Sequence, residues 1–255
     1  GLAESHPYIW QVARMLVRRC PPLLPHDRGY YAFRHFIAVR PKGLFLDCGA
    51  NDGISALGFR KFDTSYEILS IEPNDQHLRE LQKIAKRDPA FRYMIAGCGD
   101  RPGRVSFHVP VYWGVVLHTF TASDRDSVRE TVRRYYGDRI ANAVRIHSVE
   151  ADVICIDDLD VAPSILKIDA EGADVAVLRG AERTIRRSRP FIVIEVGAEW
   201  ADAPRYFSDL GYVLREYDPT TDKFQLIGNN EGHALSRRNI FAIPLEFADR
   251  MPHRS

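Results

Sequence analysis

LFLDCGANDGISALGFRKFDTSYEILSIEPN, residues 44–74, sets the architecture of the chain. Leu44-Phe45-Leu46 is a continuous apolar run that ends in Asp47 and passes into Gly49-Ala50-Asn51-Asp52-Gly53. A helix-length apolar stretch follows, and a second short run, Ile68-Leu69-Ser70-Ile71, closes on Glu72. Short apolar runs alternating with helical patterns specify a βαβ unit of a parallel sheet. Ligands of such sheets sit outside the carboxyl ends of the strands, where Asp47 and Glu72 both fall. Gly49 and Gly53 lack Cβ atoms, so a ligand can press against the main chain of the turn. Glu72 stands where a carboxylate accepts hydrogen bonds from a ribose diol in nucleotide-binding sheets. The unit is built for a nucleoside-bearing cofactor.

Charge narrows the cofactor. A dinucleotide fingerprint, G-x-G-x-x-G, leaves a helix N-terminus bare for pyrophosphate. Here Asp47 and Asp52 flank the turn, and their charge repels a pyrophosphate while it attracts an ammonium or sulfonium group. Asp47-x-Gly49-x-x-x-Gly53 resembles the form found in class I methyltransferases that bind S-adenosylmethionine. On a strand–turn–helix with an acid at the next strand end, the match is a specific one.

Composition is that of an ordinary globular protein: 255 residues, 45% hydrophobic and 27% charged, enough for one large α/β domain with additions. A formal net charge of +1 argues against a broad nucleic-acid surface. The arginines at 125, 129, 133, 134, 139 and 145 are interleaved with acids and read as a solvated helix face. Cysteines at 20, 48, 98 and 155 show no C-x-x-C spacing, so neither a zinc knuckle nor a disulfide framework is indicated. A reducing compartment suits them. With no run of 18 apolar residues and no signal-peptide plan, a cytoplasmic protein without an integral membrane segment is expected.

Residues 6–19 carry apolar groups at helical spacing and are stopped by the prolines of Cys20-Pro21-Pro22. With the aromatic stretch 30–39 they are expected to form an N-terminal helical cap, residues 1–42, beside the carboxyl edge of the sheet; residues 43–250 form the main domain. Asn74 is placed to cap a helix over 75–86. Strands are expected at 91–96, 105–109, 153–156, 165–168, 190–196, 211–214 and 240–243, and helices at 124–136, 173–187 and 203–210. Asp157 and Asp158 read as turn and cap residues.

The segment 165–181, ILKIDAEGADVAVLRGA, resembles the signature of the FkbM family of methyltransferases. Residues 148–159 and Arg238-Asn239-Ile240-Phe241 are similar to the segments that flank it, so the resemblance runs from about residue 43 to residue 244. It implies an α/β class I (Rossmann-like) fold: seven mostly parallel strands with helices on both faces, and the N-terminal helices as an addition. It also implies methyl transfer from S-adenosylmethionine to oxygen, commonly a sugar hydroxyl of a glycolipid, polysaccharide or glycosylated natural product. A small phenolic or protein acceptor, or a nucleotide-binding module without catalysis, is the alternative. A homodimer is left open.

Roles follow from these placements. Asp47 and the turn Gly49-Ala50-Asn51 to Gly53 are expected to hold the methionine part of the cofactor. Glu72 with Pro73 would hold the ribose, and Ala96, Gly97 and Cys98 would flank the adenine. Asp169 and Glu171 end the fourth strand, facing the donor methyl. Glu195 ends the neighbouring strand and could meet Asp169 across the cleft, where two carboxylates would suit Mg²⁺. A sugar hydroxyl is a poor nucleophile, and a general base contributes about 10²–10⁴-fold. His118 and His147 are the preferred bases, with His233 a third candidate. Cys48 reads as a buried small hydrophobe rather than a nucleophile.

Overall fold

The computed structural model describes residues 27–113, 115–117, 124–170, 172–195, 203–227 and 239–253. A 3₁₀ turn (Arg28–Ala32) leads into α1 (Phe33–Val39), β1 (Leu44–Cys48), α2 (Ile54–Phe59) and β2 (Glu67–Glu72). Then come α3 (Leu78–Ala85), β3 (Phe91–Ile95), β4 (Gly97–Cys98), β5 (Gly103–Tyr112) and β6 (Val115–Val116). Helices α4 (Arg125–Tyr136) and α5 (Asp138–Ala143) precede β7 (Arg145–Ile154) and β8 (Pro163–Ile168). The remaining elements are α6 (Asp174–Arg179), α7 (Glu182–Ser188), β9 (Phe191–Glu195), α8 (Ala203–Asp209), β10 (Tyr212–Asp218), β11 (Lys223–Leu226) and β12 (Asn239–Pro244).

The main sheet has the order β11-β10-β12-β9-β8-β1-β2-β3. From β3 to β9 every pairing is parallel, while β12 inserts antiparallel between β9 and β10. Both faces are covered, which is why β1 and β8 are buried at every residue and read as unbroken apolar runs. One face packs Leu46, Ile71, Leu166 and Ile192 against Val177 and Leu178 of α6, Ile185 of α7 and Phe207 of α8. The other packs Phe45, Ile68, Ile165 and Phe191 against Phe33 and Phe36 of α1 and Phe59 of α2. Phe36 stacks on Phe191 at 4.3 Å between centroids, and Phe45 stacks on Phe59 at 4.5 Å.

The aromatic stretch 30–39 packs as core, with Phe33 and Phe36 fully buried against one face of the sheet. Three expectations need correction. The sheet has eight strands rather than seven, because β11 turns back on β10 in a hairpin from Asp218↔Lys223 to Arg215↔Leu226. The expected single helix 173–187 is two. Gly180 breaks it, lying so close to Gly99 that a Cβ there would stand 1.8 Å from the Gly99 carbonyl oxygen. Asp157 then caps the second helix from a distance, accepting from the backbone N–H groups of Arg183 (3.0 Å) and Thr184 (2.7 Å). Lastly, the expected short strand at 105–109 is half of a long ribbon. β5 and β7 pair antiparallel from Gly103↔Val153 to Val111↔Arg145, and β4 and β6 complete a second sheet.

Candidate active site

The site grows from the end of β1. Gly49 takes φ +76°, and a Cβ added to it would stand 1.8 Å from the carbonyl oxygen of Asp169, so only glycine fits where the two strand ends converge. The N–H groups of Gly49 and Ala50 both donate to Ile71 O (2.9 and 3.1 Å), and Asp169 N donates to Cys48 O (3.1 Å). Those bonds weld the ends of β1, β2 and β8 into one rim. Asn51 is left-handed at φ 53°. Asp52 accepts from Ile54 N (3.2 Å), and Gly53, at φ 81°, starts α2.

Glu72 closes β2 beside this turn. Its Oε2 accepts from Asn51 N at 2.7 Å and its Oε1 from Asn74 N at 2.8 Å. Burial pushes its pKa up to about 7 although both amides favour the charged form. Each carboxylate oxygen keeps a second lone pair for a ligand. Above the rim opens a cleft of about 530 Å³. Gly49, Asn51, Glu72 and Pro73 line one side, Gly97, Cys98 and Gly99 the next, and Asp169, Ala170 and Ala173 the third. The fourth wall is the ribbon, through Arg104, Val105, Ser106, Phe107 and Val153.

Beneath the rim lies a charge cluster. Lys167, only 7% exposed, sits 3.2 Å from Asp47 Oδ1 and 3.4 Å from Asp169 Oδ2, and its Nζ donates to Gly49 O at 3.4 Å. Burial alone would push the lysine pKa down; the two carboxylates outweigh it and hold the group protonated. Asp47 Oδ2 accepts from the hydroxyls of Ser55 and, at 3.3 Å, of Ser70. The Tyr30 hydroxyl is buried against the same cluster, and burial raises its pKa well above the ordinary value.

Several expected residues meet in this cleft: Gly49, Asn51, Glu72, Pro73, Gly97, Cys98 and Asp169 all line it. Asp47, expected to hold the methionine part, has no exposed surface and is engaged by Lys167, Ser55 and Ser70. It supports the rim from below. Ala50 and Ala96 are buried behind the lining, Ala96 N donating to Glu72 O at 3.1 Å. His147 is exposed on β7 opposite Val109, two residues along the ribbon from the cleft-lining Phe107, which puts it about 7 Å along the strand from the edge of the cleft. His118, Glu171, His233 and the side chain of Glu195 lie outside the described residues. Cys48 is buried, and its hydrogen bond with Cys98, then burial, push its thiol pKa well up; it is a protonated core residue.

Among the described residues no three His, Cys, Asp or Glu side chains gather to hold a cation, and the Asp169 carboxylate faces the Lys167 ammonium; the side chain of Glu195, its expected partner for Mg²⁺, lies outside the described residues. Lys167 itself carried no expected role. Its signal was a lysine inside the apolar strand Ile165-Leu166-Lys167-Ile168, because a charge on a strand buried on both faces requires a buried partner. The described residues contain no helix long and apolar enough to cross a membrane.

Comparison with known proteins places the chain in a family. A 2-O-methyltransferase, NoeI of Sinorhizobium fredii (strain NBRC 101917 / NGR234), is 21% identical over 156 residues, covering 61% of this chain and 64% of NoeI. Among solved structures, the methyltransferase FkbM of Methylobacillus flagellatus KT aligns with a TM-score of 0.49 at 19% identity, over 79% of this chain and 43% of that one. Fibrillarin of Aeropyrum pernix, solved with natively bound S-adenosyl-L-methionine, aligns with a TM-score of 0.40 at 10% identity, over 84% of this chain and 75% of that one. The family model of the methyltransferase FkbM domain matches residues 47–217, a span that holds the glycine turn, Glu72, the ribbon and the Lys167–Asp169 strand end. The chain belongs to the FkbM family of methyltransferases.

Proposed function

We propose that the chain is an S-adenosylmethionine-dependent O-methyltransferase whose acceptor is a hydroxyl of a sugar or glycoconjugate. The observation that carries the donor half is Glu72: a buried carboxylate, fixed by two backbone amides, at the mouth of a glycine-shaped cleft. Such a group is a ready acceptor for the two hydroxyls of a ribose and needs no reorganisation to receive them. Pro73, Gly97 and Cys98 supply a flat, weakly polar wall for the adenine, and Gly49 keeps side chains off the methionine part. Asp169, whose side chain is 39% exposed at the rim, takes the ammonium end of the donor.

The bound donor supplies a methyl group on a positively charged sulfur. The protein's own contribution is alignment, which can supply roughly 7–11 kcal/mol when the geometry is right. The rest is removal of the acceptor proton. His118, His147 and Glu195, at the carboxyl end of β9, are the candidates for that base. The oxygen acceptor is supported by the O-methyl chemistry in the name of NoeI, and the sugar by the family resemblance. Turnover of a panel of methyl glycosides and oligosaccharides, with and without chelator, tests the reading. It predicts methyl ethers on one or more glycans at a rate the chelator leaves unchanged. Transfer to phenols or proteins alone would overturn the acceptor.

A further inference from the structure

The Lys167 ammonium donates to Gly49 O and stands within ion-pair distance of two carboxylate oxygens, so its three contacts fall on different pieces of the rim. Asp47 Oδ1 belongs to β1, Gly49 O to the glycine turn and Asp169 Oδ2 to the segment after β8. A lysine that only neutralised a buried acid would need one of these contacts. By holding Gly49 O it fixes the peptide whose other side, Ala50 N, is pinned to Ile71 O. By holding one oxygen of Asp169 it restricts the torsions of a carboxylate that otherwise stands partly in solvent.

Resting on the donor reading above, we infer that Lys167 is a positioning residue for the amino-acid end of S-adenosylmethionine. It aims the Asp169 carboxylate at the donor's α-ammonium while locking the glycine turn beneath it. The cluster as built also keeps one net negative charge, two carboxylates against one ammonium, toward a donor whose ammonium, carboxylate and sulfonium sum to one positive charge. Positioning and charge are therefore separate contributions, and they can be separated by experiment.

The double variant Asp47→Asn with Lys167→Met removes one negative and one positive charge, so the net charge of the cluster is conserved and only the clamp is lost. Asparagine can keep accepting from Ser55 and Ser70. Two probes are titrated calorimetrically: S-adenosylmethionine, and 5′-deoxy-5′-methylthioadenosine, which has the nucleoside but no amino-acid end. The expected result is a loss of about tenfold or more in affinity for S-adenosylmethionine, with methylthioadenosine affinity within a factor of about two. Equal losses for both probes, or no loss for either, would overturn the inference and leave Lys167 a structural counter-ion. Failure of the wild-type protein to bind either probe would instead overturn the donor reading itself.

A measurement on the wild-type chain covers the case of a double variant that does not fold. In carboxyl- and amine-labelled protein, S-adenosylmethionine should shift the Asp169 Cγ and Lys167 Nζ resonances while methylthioadenosine leaves both in place. Identical spectra with the two probes would contradict the assignment.

Discussion

The cleft has two walls of different make. The rim formed by β1, β2 and β8 is largely buried and cross-bonded, and its shape is set by backbone contacts. Gly49 touches the Asp169 carbonyl, Glu72 holds two amides, and Lys167 ties three segments. The ribbon wall opposite is exposed from Gly103 to Ser106, and its charges pair loosely in solvent, as Arg104 does with Asp152 at 3.1 Å. The rim therefore has one workable arrangement of side chains, whereas the ribbon tolerates many. On the proposed reading the donor lies against the rim, and the ribbon is the wall that tolerates change.

That contrast predicts a graded series of effects. Gly49→Ala is the most damaging: its methyl must displace a backbone carbonyl and its φ of +76° costs about 1–3 kcal/mol in strain. A lowered Tm and no detectable binding of S-adenosylmethionine are expected. Glu72→Ala comes next. It removes the ribose acceptor and orphans Asn51 N and Asn74 N, at roughly 1–3 kcal/mol for each buried donor left unpaired. Calorimetry should show donor affinity falling by about one to two orders of magnitude.

Titration of Glu72 gives a smaller, reversible effect. Its pKa of about 7 means that the carboxylate, the form that accepts from ribose hydroxyls, is a minor species at pH 6 and the major one at pH 8. Donor affinity should rise across that window by up to about tenfold. Stability runs the other way. The folded pKa lies above the ordinary value of 4.5, so this group's contribution is full below about pH 4.5 and is lost as pH rises through about 7. The Tm of wild type relative to Glu72→Gln should fall over the same range. On the ribbon, Phe107→Ala should change donor affinity by no more than about threefold. Arg104→Ala, an exposed pair, should leave Tm unchanged. A ribbon variant that hurt donor binding as much as Glu72→Ala would erase the distinction between the walls.

Legibility in the sequence followed the same division. Asp47-x-Gly49-x-x-x-Gly53 and Glu72 could be read because each is demanded within a few residues: a turn that needs left-handed angles, a strand end that needs an acid. The buried runs at 44–46, 68–71 and 165–168 announced parallel strands because both faces of each are covered. Lys167 could be seen but not explained, since Asp47 and Gly49 reach it only once β8 lies beside β1. The ribbon was missed because Arg145–Ile154, with Glu150 and Asp152 on its exposed side, has a partner some forty residues upstream and too few apolar positions to declare itself. Nor could the need for glycine at position 180 be anticipated, for it comes from the carbonyl of Gly99, far away in sequence.

Calorimetric titration of the purified chain with S-adenosylmethionine and with NAD, repeated on Glu72→Ala, bears on the central claim that this cleft receives a sulfonium nucleoside gripped through its ribose. Saturable one-to-one binding of S-adenosylmethionine, none of NAD, and a loss of at least about tenfold in the variant are the predicted results. Binding of NAD in its place, or an affinity for S-adenosylmethionine that Glu72→Ala leaves untouched, would contradict it.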